Sequence, residues 1–379
     1  MKALSILLRA LFGGVFIFSG FVKAVDPWGT AYKIEEYIAV FGMNWLTDAM
    51  SFLPITLSIL LSSLEFMIGV LIFFGFFPKI SKYSAAIIMA FFTVLTFIDA
   101  LTNKVDDCGC FGDAIKLTNW ETFWKNIVLD FLLVGIILIE RKMVLGTSKI
   151  NSKLITSIFG LFIIVFSIYS AVYEPVIDFR AWKVGNQMVP VGDDVTPPVS
   201  YAKYRNNETG AEKEFTMENL MEEYKVNPDF AKQWTFLDSR VENTNTVAAD
   251  GFSLILLDMG EEDETIDILS DTTSDLYMIT SYDVRKANEK GLNRVLNFAT
   301  EMQKQNNRVL IVTATNSEGC SKFLENYPAA NNFLIYSSDD KSIKTILRSN
   351  PGIIKISKGK VEAKWSWRNL PELESLAKE

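Results

Sequence analysis

Two cysteines separated by one glycine, Cys108-Gly109-Cys110, are the residues of this chain best suited to chemistry. A disulfide across that spacing closes a small, strained ring. Strain raises the reduction potential, so such a bond is labile. Gly109 supplies the backbone freedom the ring needs. Asp106, Asp107 and Asp113 surround the pair. Negative charge raises a thiol pKa and slows its attack at neutral pH. Three uses remain open: thiol–disulfide exchange, a structural cross-link pinning the loop, or part of a metal site. The metal reading has only two ligands and no histidine to complete the set.

The 379 residues include no histidine. That excludes a Ser/His/Asp triad, a histidine general base and most zinc sites. Proton transfer must use carboxylates, lysine, tyrosine, thiols or water. Three cysteines are too few for a disulfide scaffold. The third, Cys320 after Gly319, reads either as an inert, partly buried residue or as a lone thiol that meets the loop pair. The second use requires exposure.

The elements that must position the pair are membrane helices. A span needs roughly 20 mostly apolar residues. Five segments qualify, at about 4–24, 52–77, 83–103, 122–140 and 153–173. The first lacks a small-residue cleavage site and is too long for a signal peptide. Lys79 and Lys82 mark one connection as cytoplasmic; Arg141, Lys142, Lys149 and Lys153 mark another. The remaining connections, Lys23 to Asp48 and Lys104 to Glu121, are acidic or balanced. The expected topology has a cytoplasmic N-terminus and five crossings. The cysteine loop and everything after about residue 174 then lie outside, which in a bacterial inner membrane means the oxidising periplasm. The segment from Trp28 to Met50 reads as a helix in the interface, either a lid or a substrate gate.

Arg9, Glu65, Asp99 and Asp130 interrupt the apolar runs, and intramembrane charge marks function by default. Arg9 can snorkel to the inner end. Asp99 lies near the outer end, within reach of water. Glu65 and Asp130 stand halfway along their spans. They could share a proton, or Glu65 could pair with Arg9 or Lys23; a buried polar tie between helices is the structural alternative. Gly13, Gly14, Ser19 and Gly20 give the first helix a small-residue face.

The halves differ in charge. Residues 1–175 are neutral, and the whole formal charge of −8 sits in the rest. An acidic soluble half argues against nucleic acid as a partner. It begins with a Pro-containing linker, about 174–200 (Pro175, Pro190, Pro197, Pro198). A hairpin over Val199–Tyr204 and Ala211–Thr216 and a helix near Met217–Tyr224 follow. Phe252–Leu257 is not assigned by pattern. From Leu276 the order is regular: strand Leu276–Thr280, helix Val284–Asn306, strand Arg308–Ala314, helix Ser317–Asn326, strand Phe333–Tyr336, helix Asp340–Arg348. The hairpin Gly352–Ile356/Lys360–Trp365 and a tail helix Pro371–Lys378 close the chain.

Two resemblances add to this. The stretch Gly14 to Pro27, with Ser19-Gly20, Lys23 and Asp26-Pro27 closing the span, resembles the first helix of DoxX/MauE-type membrane proteins. Glu65 followed by Gly69 fits their second helix, and Cys108-Gly109-Cys110-Phe111-Gly112 is similar to the MauE branch. The resemblance covers residues 1–145 as a four-helix unit, with a fifth helix (146–174) added. It implies a bundle linked to thiol or quinone redox chemistry. MauE proteins are associated with maturation of a disulfide-rich dehydrogenase subunit, which does not transfer to this chain without that partner. Residues 250–379 resemble a thioredoxin-like domain, and Ser349-Asn350-Pro351-Gly352 is similar to its cis-proline loop. Residues 175–249 form the linker and hairpin between. Where a thioredoxin carries its Cys-x-x-Cys, this chain reads Ser281-Tyr282-Asp283-Val284-Arg285-Lys286, so the domain cannot exchange dithiols by the family mechanism.

The expected architecture is an α-helical membrane bundle followed by an α/β thioredoxin-like periplasmic domain. Two functions fit. In the first, a membrane thiol–disulfide oxidoreductase exchanges Cys108 and Cys110 with a periplasmic partner. A quinone is its electron partner, Glu65 and Asp130 handle protons, and the outer domain binds the client. Trp365, Trp367 and Arg368 are candidates for that surface, or a folded sheet edge. In the second, the protein is a membrane-anchored scaffold or assembly factor with a redox-inactive binding domain.

Overall fold

The computed structural model describes residues 2–105, 108–141, 151–189, 199–207, 209–227, 229–242, 252–257 and 262–372. Asp106, Asp107, Lys142, Lys149, Pro190, Pro197, Pro198 and the tail helix beyond Glu372 lie outside the described residues. The chain divides into two compact units, 1–180 and 181–379.

The first unit holds α1 (Lys2–Val25), α2 (Pro27–Val40), α3 (Trp45–Ala49), α4 (Leu53–Phe74), α5 (Pro78–Thr102), α6 (Asn119–Arg141) and α7 (Ser152–Val172). Five of these, α1 and α4 to α7, are long and apolar enough to cross a membrane. Exposed Leu7, Ile87, Phe91, Phe131 and Leu161 present the apolar surface that lipid would cover. The five expected spans match these helices closely. One boundary differs: α5 begins at Pro78, so Lys79 and Lys82 sit in its first turns rather than in a loop. Pro at the first helical position costs no hydrogen bond, which favours the earlier start. The Trp28–Met50 segment is helical, as α2 and α3. Asp26 accepts from the Gly29 N–H at 3.1 Å and Pro27 opens α2, so the Asp-Pro step is a helix start.

Glycine sets the approach of α1 to α4. A Cβ at Gly13 would lie 2.9 Å from the Gly69 carbonyl oxygen. One at Gly20 would lie 2.7 Å from both Phe66 Cα and the Ser62 carbonyl oxygen. The backbones touch, as small residues permit in membrane helices. Along α4, Ser58, Ser62, Glu65, Gly69 and Ile72 recur at helical spacing on one face, and all are buried. On α6 the buried face carries Thr122, Asn126, Leu129, Leu133, Ile136 and Glu140.

The second unit contains two sheets. A small one, in the order β2-β1-β3, comprises β1 (Val199–Asn206), β2 (Glu212–Thr216) and β3 (Trp234–Glu242), with α8 (Met217–Val226) and α9 (Phe230–Gln233). Its core is Ala202, Phe215, Leu220 and Phe230. The larger sheet contains β4 (Ile255–Leu256), β5 (Leu276–Ser281), β6 (Arg308–Thr313), β7 (Leu334–Ser337), β8 (Gly352–Ser357) and β9 (Lys360–Ser366). Helices α10 (Thr265–Ser270), α11 (Glu289–Lys304), α12 (Ser317–Asn326) and α13 (Asp340–Ile346) connect or flank these strands. The strand order is β4-β7-β6-β5-β8-β9. β5, β6 and β7 run parallel; β4, β8 and β9 pair antiparallel. Every residue of β5 is buried, and its side chains alternate between two cores. Leu276 and Met278 face a cluster with Leu254, Leu269 and Ile346, while Tyr277 and Ile279 face one with Leu292, Val295 and Phe298.

Part of the expected linker is core. Trp182, Met188 and Val189 are buried in the first of those clusters, and Gln187 forms a bridge to Lys360. The expected helix Val284–Asn306 starts at Glu289 instead, because Asn288 caps it by accepting from the Gly291 N–H at 3.0 Å.

Candidate functional site

The site forms where α1, α4, α5, α6 and the cysteine loop meet. Ser19 and Lys23 lie one turn apart on α1 and face Glu65 of α4. Lys23 Nζ donates to both Glu65 oxygens, at 2.7 and 2.8 Å. Both residues are buried, Lys23 4% and Glu65 3% exposed. A buried pair of this kind survives only with good geometry and further hydrogen bonds. Ser19 supplies one, its Oγ lying 2.9 Å from Glu65 Oε2. The same Oγ lies 2.7 Å from the Cys110 carbonyl oxygen. A hydroxyl has a single proton, so it serves one of these acceptors at a time.

Cys108 and Cys110 are disulfide-bonded. Gly109 (φ 61°) and Gly112 (φ 50°) adopt left-handed backbone on either side of Cys110, which glycine does without steric cost. Asn119 donates to the Val105 carbonyl at 2.9 Å and so ties α6 to the start of the loop. Phe111 is buried against Phe18 of α1, ring centroids 5.6 Å apart, and Lys125 Nζ stands 4.6 Å over its ring. Ser19, Lys23, Glu65, Phe92, Cys110 and Lys125 are among the residues lining a cavity of about 20 Å³, room for about one water.

Of the pairings open to Glu65, the one with Lys23 forms, and Glu65 and Asp130 have different hydrogen-bond partners. Glu65 binds Lys23 and Ser19, whereas Asp130 accepts from Thr93 Oγ1 at 2.8 Å. Asp99 is not wet: it is 4% exposed and accepts from Tyr37 Oη at 2.5 Å, so α2 is tied to α5. Arg9 donates to the Ile72 and Phe73 carbonyls at the end of α4, at 3.0 and 3.2 Å, and lies 3.7 Å from Glu140. Glu140 also takes Ser5 at 3.2 Å and Lys82 at 2.9 Å. That makes a second polar cluster at the bundle end opposite the cysteine loop. Lys125, the cation in the same apolar run as Asp130, carries no sequence signal of a role here, and Ser19 joins the site through hydrogen bonds in addition to its place on the small-residue face.

Asp113 lines a separate small cavity with Asp26, Asp178 and Arg180. Arg180 is 4% exposed and donates to Asp178 at 2.7 and 2.9 Å and to Glu174 at 3.2 Å. Burial pushes its guanidinium pKa down, but Glu174, Asp178 and Asp26 more than offset this and hold it above its ordinary value.

In the second unit, Ser281 Oγ donates to Asn350 Oδ1 at 2.6 Å, and Asn350 Nδ2 donates to the Asp283 carbonyl at 3.0 Å. The Asn350–Pro351 bond is cis. Hydrogen bonds from Arg285 hold the Asp283 carboxyl below the usual carboxylate range. Trp365 and Trp367 are half-buried against the α11 core rather than free, and Arg368 stacks on Trp367 at 4.2 Å. Cys320 is 1% exposed and donates to the Thr315 carbonyl at 3.5 Å, so the exposure required for exchange is missing. An alkylating reagent is therefore expected to modify the reduced loop cysteines and to reach Cys320 only after unfolding. Peptide mass spectrometry showing equal labelling rates would contradict that burial.

No group of three or more metal-ligating side chains occurs among the described residues. Nor do the residues around the disulfide fit a quinone. A cavity of about 20 Å³ is far below the several hundred Å³ of sites that hold organic ligands.

The first unit is thus a small multi-span bundle with an ion pair buried beneath a disulfide loop. Residues 1–139 match the family described as "Methylamine utilisation protein MauE", so this part of the chain is similar to MauE proteins. Neither a curated protein nor a solved structure matches the chain.

Proposed function

We propose that the protein is a bacterial inner-membrane thiol–disulfide exchange protein. In this reading the N-terminus is cytoplasmic. The Cys108–Cys110 loop and the second unit face the periplasm. Cys108 and Cys110 exchange with a protein thiol. The observation that carries it is the Ser19 hydroxyl, within hydrogen-bond distance of both Glu65 and the Cys110 carbonyl. It links the loop to the buried Lys23–Glu65 ion pair. A proton on Glu65 would let the carboxyl donate to Ser19 and free the hydroxyl for Cys110. Asp130, which accepts from Thr93, is the second carboxyl assigned to proton transfer, on the α5–α6 side. The second unit, with its parallel β5-β6-β7 core and the cis Asn350–Pro351 step beside Ser281, serves as a thioredoxin-like client-binding module without a thiol of its own.

Cys110→Ser leaves Cys108 free to form a mixed disulfide that the second loop thiol cannot resolve. This variant is expected to accumulate adducts on Cys108, detected by non-reducing electrophoresis and mass spectrometry of the membrane fraction. An intact wild-type disulfide after mild reductant, together with no adduct in the variant, would sink the exchange reading. The outcome would then favour the second reading, a membrane-anchored assembly factor. Ser281-Tyr282-Asp283, where a thioredoxin has its dithiol, is the feature that speaks for it.

A further inference from the structure

We infer that Lys125 is a positioning residue that receives the Cys110 thiolate when the loop disulfide opens, a step that rests on the exchange reading above. Cys110 lines both cavities beneath the loop, whereas Cys108 lines neither. The Cys110 carbonyl lies within hydrogen-bond distance of Ser19. In this step Cys108 is the sulfur an incoming partner attacks, and Cys110, on the cavity side, is the leaving group. A partner thiolate bonds to Cys108 Sγ, the Cys108–Cys110 bond breaks, and its electron pair stays on Cys110 Sγ. A second partner thiolate then attacks the mixed disulfide and releases Cys108. The partner dithiol is oxidised to a disulfide, the loop is reduced to two thiols, and the partner's two protons pass to the loop sulfurs or to water. A leaving thiol departs faster when its pKa is low.

The charges around Cys110 single out one cation. From α1 comes Lys23, and from α4 comes Glu65, which takes both its oxygens to Lys23. α5 contributes only Met89 and Phe92 to the cavity. From the loop, Lys116 lines the second cavity and Asp113 lines the one that holds Arg180. Asp106 and Asp107 precede the pair in sequence. α6 contributes Lys125 and Asn126; Asn126 is used by Thr96 of α5 at 3.1 Å. Lys125 pairs with no carboxylate among the described residues. It rests on the ring of Phe111, the residue next to Cys110, and lines the same cavity. The cavity lining thus has two cations and one carboxylate, a surplus positive charge that a new thiolate neutralises. This local charge opposes the acidic neighbours of the loop.

The test uses the full-length protein in detergent with Cys108→Ser, which leaves one loop thiol. The pH dependence of Cys110 alkylation, read by peptide mass spectrometry, gives its pKa without any client. The expected midpoint lies below the ordinary value of about 8.5. Adding Lys125→Met is expected to raise it by about one unit, a tenfold loss of thiolate near neutrality, and Lys125→Arg to restore it. A packing role alone would not move the midpoint. A midpoint at or above the ordinary value, or one unmoved by Lys125→Met, overturns the inference. If Lys125→Met does not fold, the midpoint of Cys108→Ser alone decides. Failure here leaves adduct formation by Cys110→Ser intact, and failure to form adducts leaves this pKa untouched, so the two ideas fall separately.

Discussion

Lys23→Met is expected to destabilise the bundle by about 3–5 kcal/mol, because it strands the Glu65 carboxylate, which no other cation bonds among the described residues. The wild-type pair is nearly sealed from solvent, and Glu65 spends both oxygens on Lys23. Among the described residues, removing the ammonium leaves Ser19 as its one remaining hydrogen-bond partner. The double variant Lys23→Met/Glu65→Leu is expected to recover most of the loss, since well-packed apolar replacements of a buried ion pair are often neutral or better. Thermal unfolding of wild type, both single variants and the double gives the coupling through a double-mutant cycle. A double variant as unstable as Lys23→Met would mean that packing, not charge pairing, explains the loss. If the exchange reading holds, the double variant stays folded but turns over its disulfide more slowly.

Gly20→Ala is the second large effect. A Cβ there would meet backbone atoms of Phe66 and Ser62, which cannot rotate away, so α1 and α4 must separate. Overpacking of this kind costs about 1–3 kcal/mol. Gly14→Ala is the control: nothing lies within 4 Å of a Cβ at that position, and replacing a mid-helix glycine there is expected to stabilise by about 0.5–1 kcal/mol. The two substitutions are chemically identical and six residues apart. Melting temperatures moving in opposite directions would confirm that the α1–α4 backbone contact makes the difference. Equal shifts would refute it.

The helices of the first unit were legible because length and apolar content alone specify a span. The alternation of strand and helix from Leu276 onward was legible because the two periodicities differ. Other features lacked a signal of that kind. β3 was missed because Phe236 and Leu237, adjacent and on opposite faces, are both exposed, so no alternation marks the strand. The cap at Asn288 was present in the sequence, but the apolar Val284 drew the expected helix start five residues too early. Within the site, the Lys23–Glu65 partnership was one of three pairings that the residues allowed. Choosing among them needed the α1–α4 register, which is set by glycine contacts across long sequence separation. Asp99 was misjudged because its protection comes from Tyr37, on an element that sequence alone could not fold back onto α5.

The glycine contact between α1 and α4 also decides how the space beneath the disulfide can change size. On that side the two helices meet backbone against backbone, and the Lys23 and Glu65 side chains that reach the cavity are bonded to each other. On the α5–α6 side the wall is Met89, Phe92, Asn126 and Leu129, which can change rotamer. A guest larger than a water is therefore expected to enter by widening the α5–α6 side. The α1–α4 pair would act as a fixed jaw, and α5–α6, held near this level by Asn126 with Thr96 and by Asp130 with Thr93, would be the jaw that moves.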